Sequence, residues 1–290
     1  MQWTPGGGGG DLEDRRDESG GGGSGFGGFG GFGGMRLGLG GILILGVLSL
    51  VFRENFFSLL SDGGGRVSAP PVRNEQLDEA EKPLVEFVKF VLNDVQANWD
   101  RELPRQTGRP YRHAKLVLYR DAYPSACGTA DSAVGPFYCP SDEKVYLDLG
   151  FFHELKQRFG APGEFAEAYV IAHEFGHHIQ KVTGIEPRVR RLQQGRPDQR
   201  NELSVSLELQ ADCLAGVWGH STQERGIVDQ SDVRDGLNAA AAVGDDRLQR
   251  MASGQVAPES FTHGSSAQRT QWFQKGLEEG RVSACNTFGE

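Results

Sequence analysis

Apolar side chains return every three or four residues along much of the chain, and that spacing predicts amphipathic helices. Leu84, Val85, Val88, Val91, Leu92 and Val95 fall on one face of a helix over 84–99. A second helix is predicted over 164–181, where Phe165, Ala168, Ile171, Ala172, Phe175 and Ile179 recur without a proline, Gly176 is the one internal glycine, and Gly184 stands as a stop. The proline-free stretch 201–220 and the runs 151–159, 232–251 and 265–279 read the same way. Strict alternation replaces this spacing at 144–149, where Val145, Leu147 and Leu149 oppose Tyr146 and Asp148, and residues 115–120 form a second strand candidate. Helices thus outnumber strands, and the expected class is an α-rich α+β domain with a small sheet and no internal repeat.

The pattern fails at the N-terminal end. Residues 1–36 are dominated by glycine, with a mixed-charge patch at 11–18 and Gly-Phe-Gly repeats around Phe26, Phe29 and Phe32. Such a segment offers little apolar surface to offset its ordering entropy, so a disordered tail is expected. Residues 37–52 then run sixteen positions without a charge, bounded by Arg36 and Arg53. As a helix this run spans roughly 24 Å against a hydrocarbon core of ~30 Å, a gap that snorkelling arginines and local thinning absorb. Residues 37–53 are therefore expected to be a single transmembrane anchor contacting lipid, in preference to a cleaved signal peptide. Arginines lie on both sides, so charge does not fix its orientation. Gly63-Gly64-Gly65 and Pro70-Pro71 mark 54–75 as a linker, leaving 76–290 for the globular domain.

Charge and cysteine content narrow the setting. A formal net charge of −9 without a basic stripe gives no footprint for nucleic acid. The four cysteines suggest pairs Cys127–Cys139 and Cys213–Cys285, with reduced thiols as the alternative; their spacing is too wide for a zinc ribbon. Two bridges imply an oxidising compartment, hence an inner-membrane protein whose domain faces out of the cytoplasm.

The chemistry sits in the helix over 164–181. His173-Glu174-Phe175-Gly176-His177 reads HExxH, and one helical turn places both imidazoles on one side, where they can hold a single Zn2+ while Glu174 reaches a water as general base. A catalytic zinc needs a third protein ligand and an open position. Glu208 and Asp212, four residues apart in the predicted 201–220 helix, supply a ligand and a carboxylate that orients a ligating histidine. His263, Tyr138 and His220 are candidate donors to a developing oxyanion. His178 is read as packing or a cleft wall, and His113 and His153 as surface or packing residues.

The segments over 126–152, 168–180 (AYVIAHEFGHHIQ), 202–218 (ELSVSLELQADCLAGVW) and 261–273 (FTHGSSAQRTQWF) resemble, in order, the bacterial neutral zinc metallopeptidase family. That family is similar to gluzincins, and the resemblance implies a zincin-like fold for 76–290, zinc held by His173, His177 and Glu208, Glu174 as base, and a peptide or protein substrate. Zincin-like enzymes align an extended peptide against an edge strand, for which 138–149 is the candidate segment. The competing reading is a membrane-tethered scaffold whose zinc staples two helices, closed by a fourth ligand from Cys213 or His178. Oligomeric state does not follow from the sequence.

Overall fold

The computed structural model describes residues 1–18, 75–131 and 135–289. The expected anchor at 37–53 lies outside these residues, as do 19–36 and nearly all of the linker. Among the described residues no helix is long and apolar enough to cross a membrane.

The chain opens with β1 (Leu12–Asp14), followed by α1 (Glu75–Thr107), β2 (Lys115–Tyr119), β3 (Ala122–Ser125), β4 (Gly128–Asp131), β5 (Phe137–Cys139) and β6 (Lys144–Asp148). One four-stranded sheet has the order β1-β2-β6-β5; β1, β2 and β6 run parallel, and β5 pairs antiparallel with β6 at one edge. A separate hairpin joins β3 to β4. Both faces of the inner strands β2 and β6 are covered, in keeping with their buried residues on both sides. Leu116, Leu118, Val145 and Leu147 face the main core, whereas Val117, Tyr119 and Tyr146 meet Ala130 and Cys139 in a smaller cluster on the other face.

The remaining helices are α2 (Gly150–Gln157), α3 (Glu164–Val182), α4 (Ile185–Gly195), α5 (Arg200–Glu224), α6 (Gln230–Ala242), α7 (Asp245–Ser253) and α8 (Ser266–Glu279). Helix α1 outruns the predicted 84–99 at both ends and contains Pro83 and Pro104, both exposed; its buried face, including Val88, Val91, Val95 and Trp99, outweighs the two lost backbone bonds. The predicted helix 232–251 is two helices, because Gly244 lies against the backbone of Ser266, too close for a side chain. Helix α3 ends as predicted, with Gly184 in the left-handed region at φ 80°. Helices α5 and α8 touch backbone to backbone through Gly216 and Gly276. Both expected disulfides are formed, Cys127–Cys139 joining the hairpin turn to β5 and Cys213–Cys285 joining α5 to the C-terminal turn.

Residues 1–18 depart from the expected disordered tail. Leu12, Glu13 and Asp14 extend the sheet beside β2, and Trp3 packs on Phe87 and Phe90 of α1. The reading by glycine content missed that the charged patch has partners: Asp11 meets Lys115, Glu13 meets Lys144, and Arg16 meets Glu81. A strand edge and complementary charges order a segment that cannot fold by itself.

Candidate metal centre

Helices α3 and α5 run antiparallel and form the site. His173 meets Asp212, His177 faces Glu208, and Gln180 reaches Leu207, so residue numbers rise on one helix as they fall on the other. Close approach depends on Gly176: a Cβ there would lie 2.8 Å from the carbonyl oxygen of Ala211 and 2.9 Å from its Cα. Glu164 and Glu167 in the first turn of α3 complement its dipole.

Each imidazole is fixed by a different partner. His173 donates from Nδ1 to Asp212 Oδ1 at 2.7 Å, leaving Nε2 towards Glu208 Oε2 at 3.2 Å. His177 donates from Nδ1 to Gln180 Oε1 at 2.9 Å; the amide is oriented because its nitrogen donates to Leu207 O at 2.7 Å. The Nε2 atom of His177 then faces Glu208 Oε1 at 3.5 Å. Donors bound at 2.0–2.1 Å around a tetrahedral centre lie ~3.3 Å apart, so these separations fit one zinc ion. Among the described residues, His173, His177 and Glu208 form the one group of histidine, cysteine or acidic side chains able to hold a metal, with donor atoms within 4.8 Å of one another.

The charges agree with that fit. Burial opposes charging of His173, but Asp212 and Glu208 outweigh it and push its pKa up to about 10. His177 is raised as well, against burial, chiefly by Glu208. Burial would raise Glu208, yet His177, His263 and His173 hold it well below the usual carboxylate range. Two imidazoles of raised proton affinity around a carboxylate of lowered proton affinity are the arrangement in which a divalent cation competes with protons. Beside them Glu174, almost fully buried, is raised by desolvation while accepting a hydrogen bond from the backbone N–H of Tyr138 on β5. The helix therefore delivers a ligand pair and a buried carboxylate of higher proton affinity to one place.

A cleft of about 620 Å³ exposes this cluster. Its lining includes the apolar Phe151, Phe159, Val170 and Leu248, the polar Gln193, Arg200 and Ser204, and Pro136, Phe137 and Tyr138 at β5. Within the candidate segment 138–149, β6 is an inner strand, and the edge facing the cleft is β5.

Other expected residues separate clearly. His263 lines the cleft, with Nδ1 3.1 Å from Asp245 Oδ1 and its backbone N–H donating to Oδ2 at 2.7 Å. The Tyr138 ring lines it too, but its hydroxyl donates to His178 Nδ1 at 3.0 Å, while His178 Nε2 donates to Arg112 O at 2.7 Å. That spends the Tyr138 proton and both His178 nitrogens. His220 is displaced from the site, three turns or ~18 Å along α5 from Glu208, and donates from Nδ1 to Leu277 O at 2.7 Å. His113 is a half-exposed surface residue between Asp11 and Asp100.

Two further residues shape the centre. Arg269 of α8, buried, clamps Asp212 with Nε to Oδ2 and Nη2 to Oδ1, both at 2.9 Å, and Tyr169 adds its hydroxyl at 2.6 Å. Burial would raise the Asp212 carboxyl, but Arg269 and His173 hold it down at about 2. Gln180, three residues after His177, was within reach of helix spacing; Arg269, fifty-seven residues beyond Asp212, carries no local signal.

Comparison with known proteins agrees with this arrangement. The sequence pattern of the family described as "Putative neutral zinc metallopeptidase" matches residues 1–288. The chain is 44% identical over 258 residues to the protein YpfJ of Escherichia coli (strain K12), covering 87% of this chain and 88% of that protein. It is 42% identical over 207 residues to Rv2575 of Mycobacterium tuberculosis (strain ATCC 25618 / H37Rv), covering 68% of each. No solved structure matches. With nearly its whole length matched and His173, Glu174, His177 and Glu208 gathered at one cleft, the chain belongs to the Putative neutral zinc metallopeptidase family.

Proposed function

We propose that this protein is a zinc-dependent peptidase that hydrolyses peptide bonds in an extended polypeptide laid along β5, with Glu174 as general base. The observation carrying this reading is the convergence of donor atoms from His173, His177 and Glu208 within 4.8 Å of one another, beside a buried carboxylate and open to a cleft. Zinc, when bound, supplies Lewis-acid polarisation of the scissile carbonyl and lowers the pKa of water from 15.7 towards ~7. Glu174, steadied by the Tyr138 amide, accepts the proton of the attacking water and returns it to the leaving nitrogen. Burial opposes charging of His263, but Glu208 and Asp245 raise its pKa, and in its protonated form, tied through Nδ1 to Asp245, it has an Nε2–H left to donate to the developing oxyanion. The outer edge of β5, unpaired among the described residues, offers backbone groups to the substrate, and the apolar lining of the cleft suits a bulky apolar side chain next to the scissile bond.

The scaffold alternative needs a closed zinc site with a fourth protein ligand. Cys213 is bonded to Cys285, and both nitrogens of His178 are engaged, which disfavours it. Membrane attachment through 37–53 and an extracytoplasmic location at the inner membrane are part of the proposal; the apolar run supports the first and the two disulfides support the second.

The test is digestion of a mixed peptide library by wild type and Glu174→Gln, with and without chelator. Wild type should cut in a chelator-sensitive way, and Glu174→Gln should keep its zinc while cleaving roughly 10²–10⁴-fold more slowly. Equal turnover by the two proteins would refute the assignment.

A further inference from the structure

The segment 1–18 is built into the same folded body as the peptidase domain. Its strand β1 is in register with β2, Leu12 opposite Leu116, Glu13 opposite Val117 and Asp14 opposite Leu118. Lys144 of β6 donates to both Glu13 oxygens at 2.9 Å, and Gln96 of α1 donates to Asp11 at 3.2 Å. Arg16 is only 8% exposed and donates to Asp14 at 2.8 Å and Glu81 at 2.6 Å. Trp3 lies 5.4 Å from the Phe87 ring, and its indole N–H donates to Glu164, the first residue of the helix carrying His173 and His177, at 3.1 Å. These partners belong to α1, β2, β6 and α3, so the segment joins the body at several elements.

Hydrogen-bonded strands lie about 4.8 Å apart, whereas a hydrocarbon core is ~30 Å thick. A single crossing between residues 18 and 75 would put β1 and β2 on opposite sides of that core, leaving the β2 edge open and Lys144 and Glu81 without these partners. We propose that residues 1–18 and 75–289 occupy the same face of the membrane, and that the chain attaches to the bilayer from that face without a net crossing. The single-pass topology expected from 37–53 gives way to attachment from one side. This rests on the membrane attachment proposed above and is independent of peptidase activity.

All four native cysteines are paired, so an introduced cysteine is the one free thiol in the full-length protein. Gly9 and Gly10 have open space around an added Cβ, and Gln255 is exposed on the domain. Gly9→Cys, Gly10→Cys and Gln255→Cys proteins in sealed spheroplasts are treated with a membrane-impermeant maleimide, and full labelling is set by detergent lysis. The expected result is that the N-terminal sites and Gln255→Cys behave alike, all labelled before lysis or all protected until it. Labelling of one region before lysis and of the other only afterwards would overturn the proposal. Recovery of the protein in the soluble fraction would remove the attachment on which it rests, whatever the peptidase assay reads.

Discussion

Replacing Arg269 with methionine removes two hydrogen bonds from a carboxylate that has no access to water. Asp212 is fully buried, and Arg269 reaches it through Nε and Nη2 at 2.9 Å each; the variant leaves it the Tyr169 hydroxyl at 2.6 Å and His173 Nδ1 at 2.7 Å. Burial favours protonation of Asp212, yet Arg269 and His173 lower its carboxyl from 3.8 to about 2. That difference is worth about 2 kcal/mol at neutral pH. Breaking a buried pair from one side costs about 3–5 kcal/mol once the orphaned charge and lost hydrogen bonds are included. With a urea m-value of about 2–3 kcal/mol/M, the unfolding midpoint of metal-stripped protein should fall by roughly 1–2 M. The sign with pH is fixed: a depressed carboxyl stabilises fully above its unfolded value and loses that contribution as pH falls through its folded value. The gap between wild type and Arg269→Met should therefore be complete near pH ~6 and shrink towards pH ~2. Urea titrations followed by tryptophan fluorescence read both effects, and Asp212→Leu added to Arg269→Met should recover much of the loss because it removes the stranded charge. A midpoint shift below ~0.3 M, or one equal at both pH values, would show that Arg269 does not hold the Asp212 charge in place.

Zinc affinity should weaken on acidification, because the raised His173 and His177 must each release a proton to bind; the dissociation constant rises by up to ~100-fold per pH unit, and a flat profile in competition titrations would count against the two-imidazole site. Gly176→Val forces α3 and α5 apart at Ala211, so it should lower stability by about 1–3 kcal/mol and zinc affinity by roughly tenfold or more, read by thermal melts and metal titration. Replacing Cys213 and Cys285 with alanine opens a loop of 72 residues and should cost about 4 kcal/mol in urea unfolding under oxidising conditions, with no effect under reducing ones.

What the chain reveals unaided follows from how local each signal is. Helix α3, its stop at Gly184 and the pairing of His173 with His177 are matters of spacing within five turns or fewer, and they were readable. The placement of Glu208 and Asp212 beside His173 is legible for the same reason, since four residues set both on one face of α5. The break at Gly244 was not, because it depends on the backbone of Ser266 packing against it, and that junction is what brings Asp245 to His263. Arg269 and the β1–β2 pairing were hidden by sequence distance: each is a polar match between segments far apart, with no periodicity to announce it. Tyr138 and His220 match an oxyanion donor in residue type alone, and the hydrogens of the Tyr138 hydroxyl and His220 Nδ1 are committed to His178 and Leu277.

In the proposed centre, His173, His177 and Glu208 hold one zinc ion with a position left for solvent. Zinc K-edge X-ray absorption on the full-length, zinc-loaded protein tests it most directly. The expected spectrum has about four light-atom neighbours at roughly 2.0–2.1 Å, two of them imidazoles, with one imidazole signal lost on His177→Ala. A sulfur neighbour at about 2.3 Å, a third imidazole, or a spectrum unchanged by His177→Ala would contradict it.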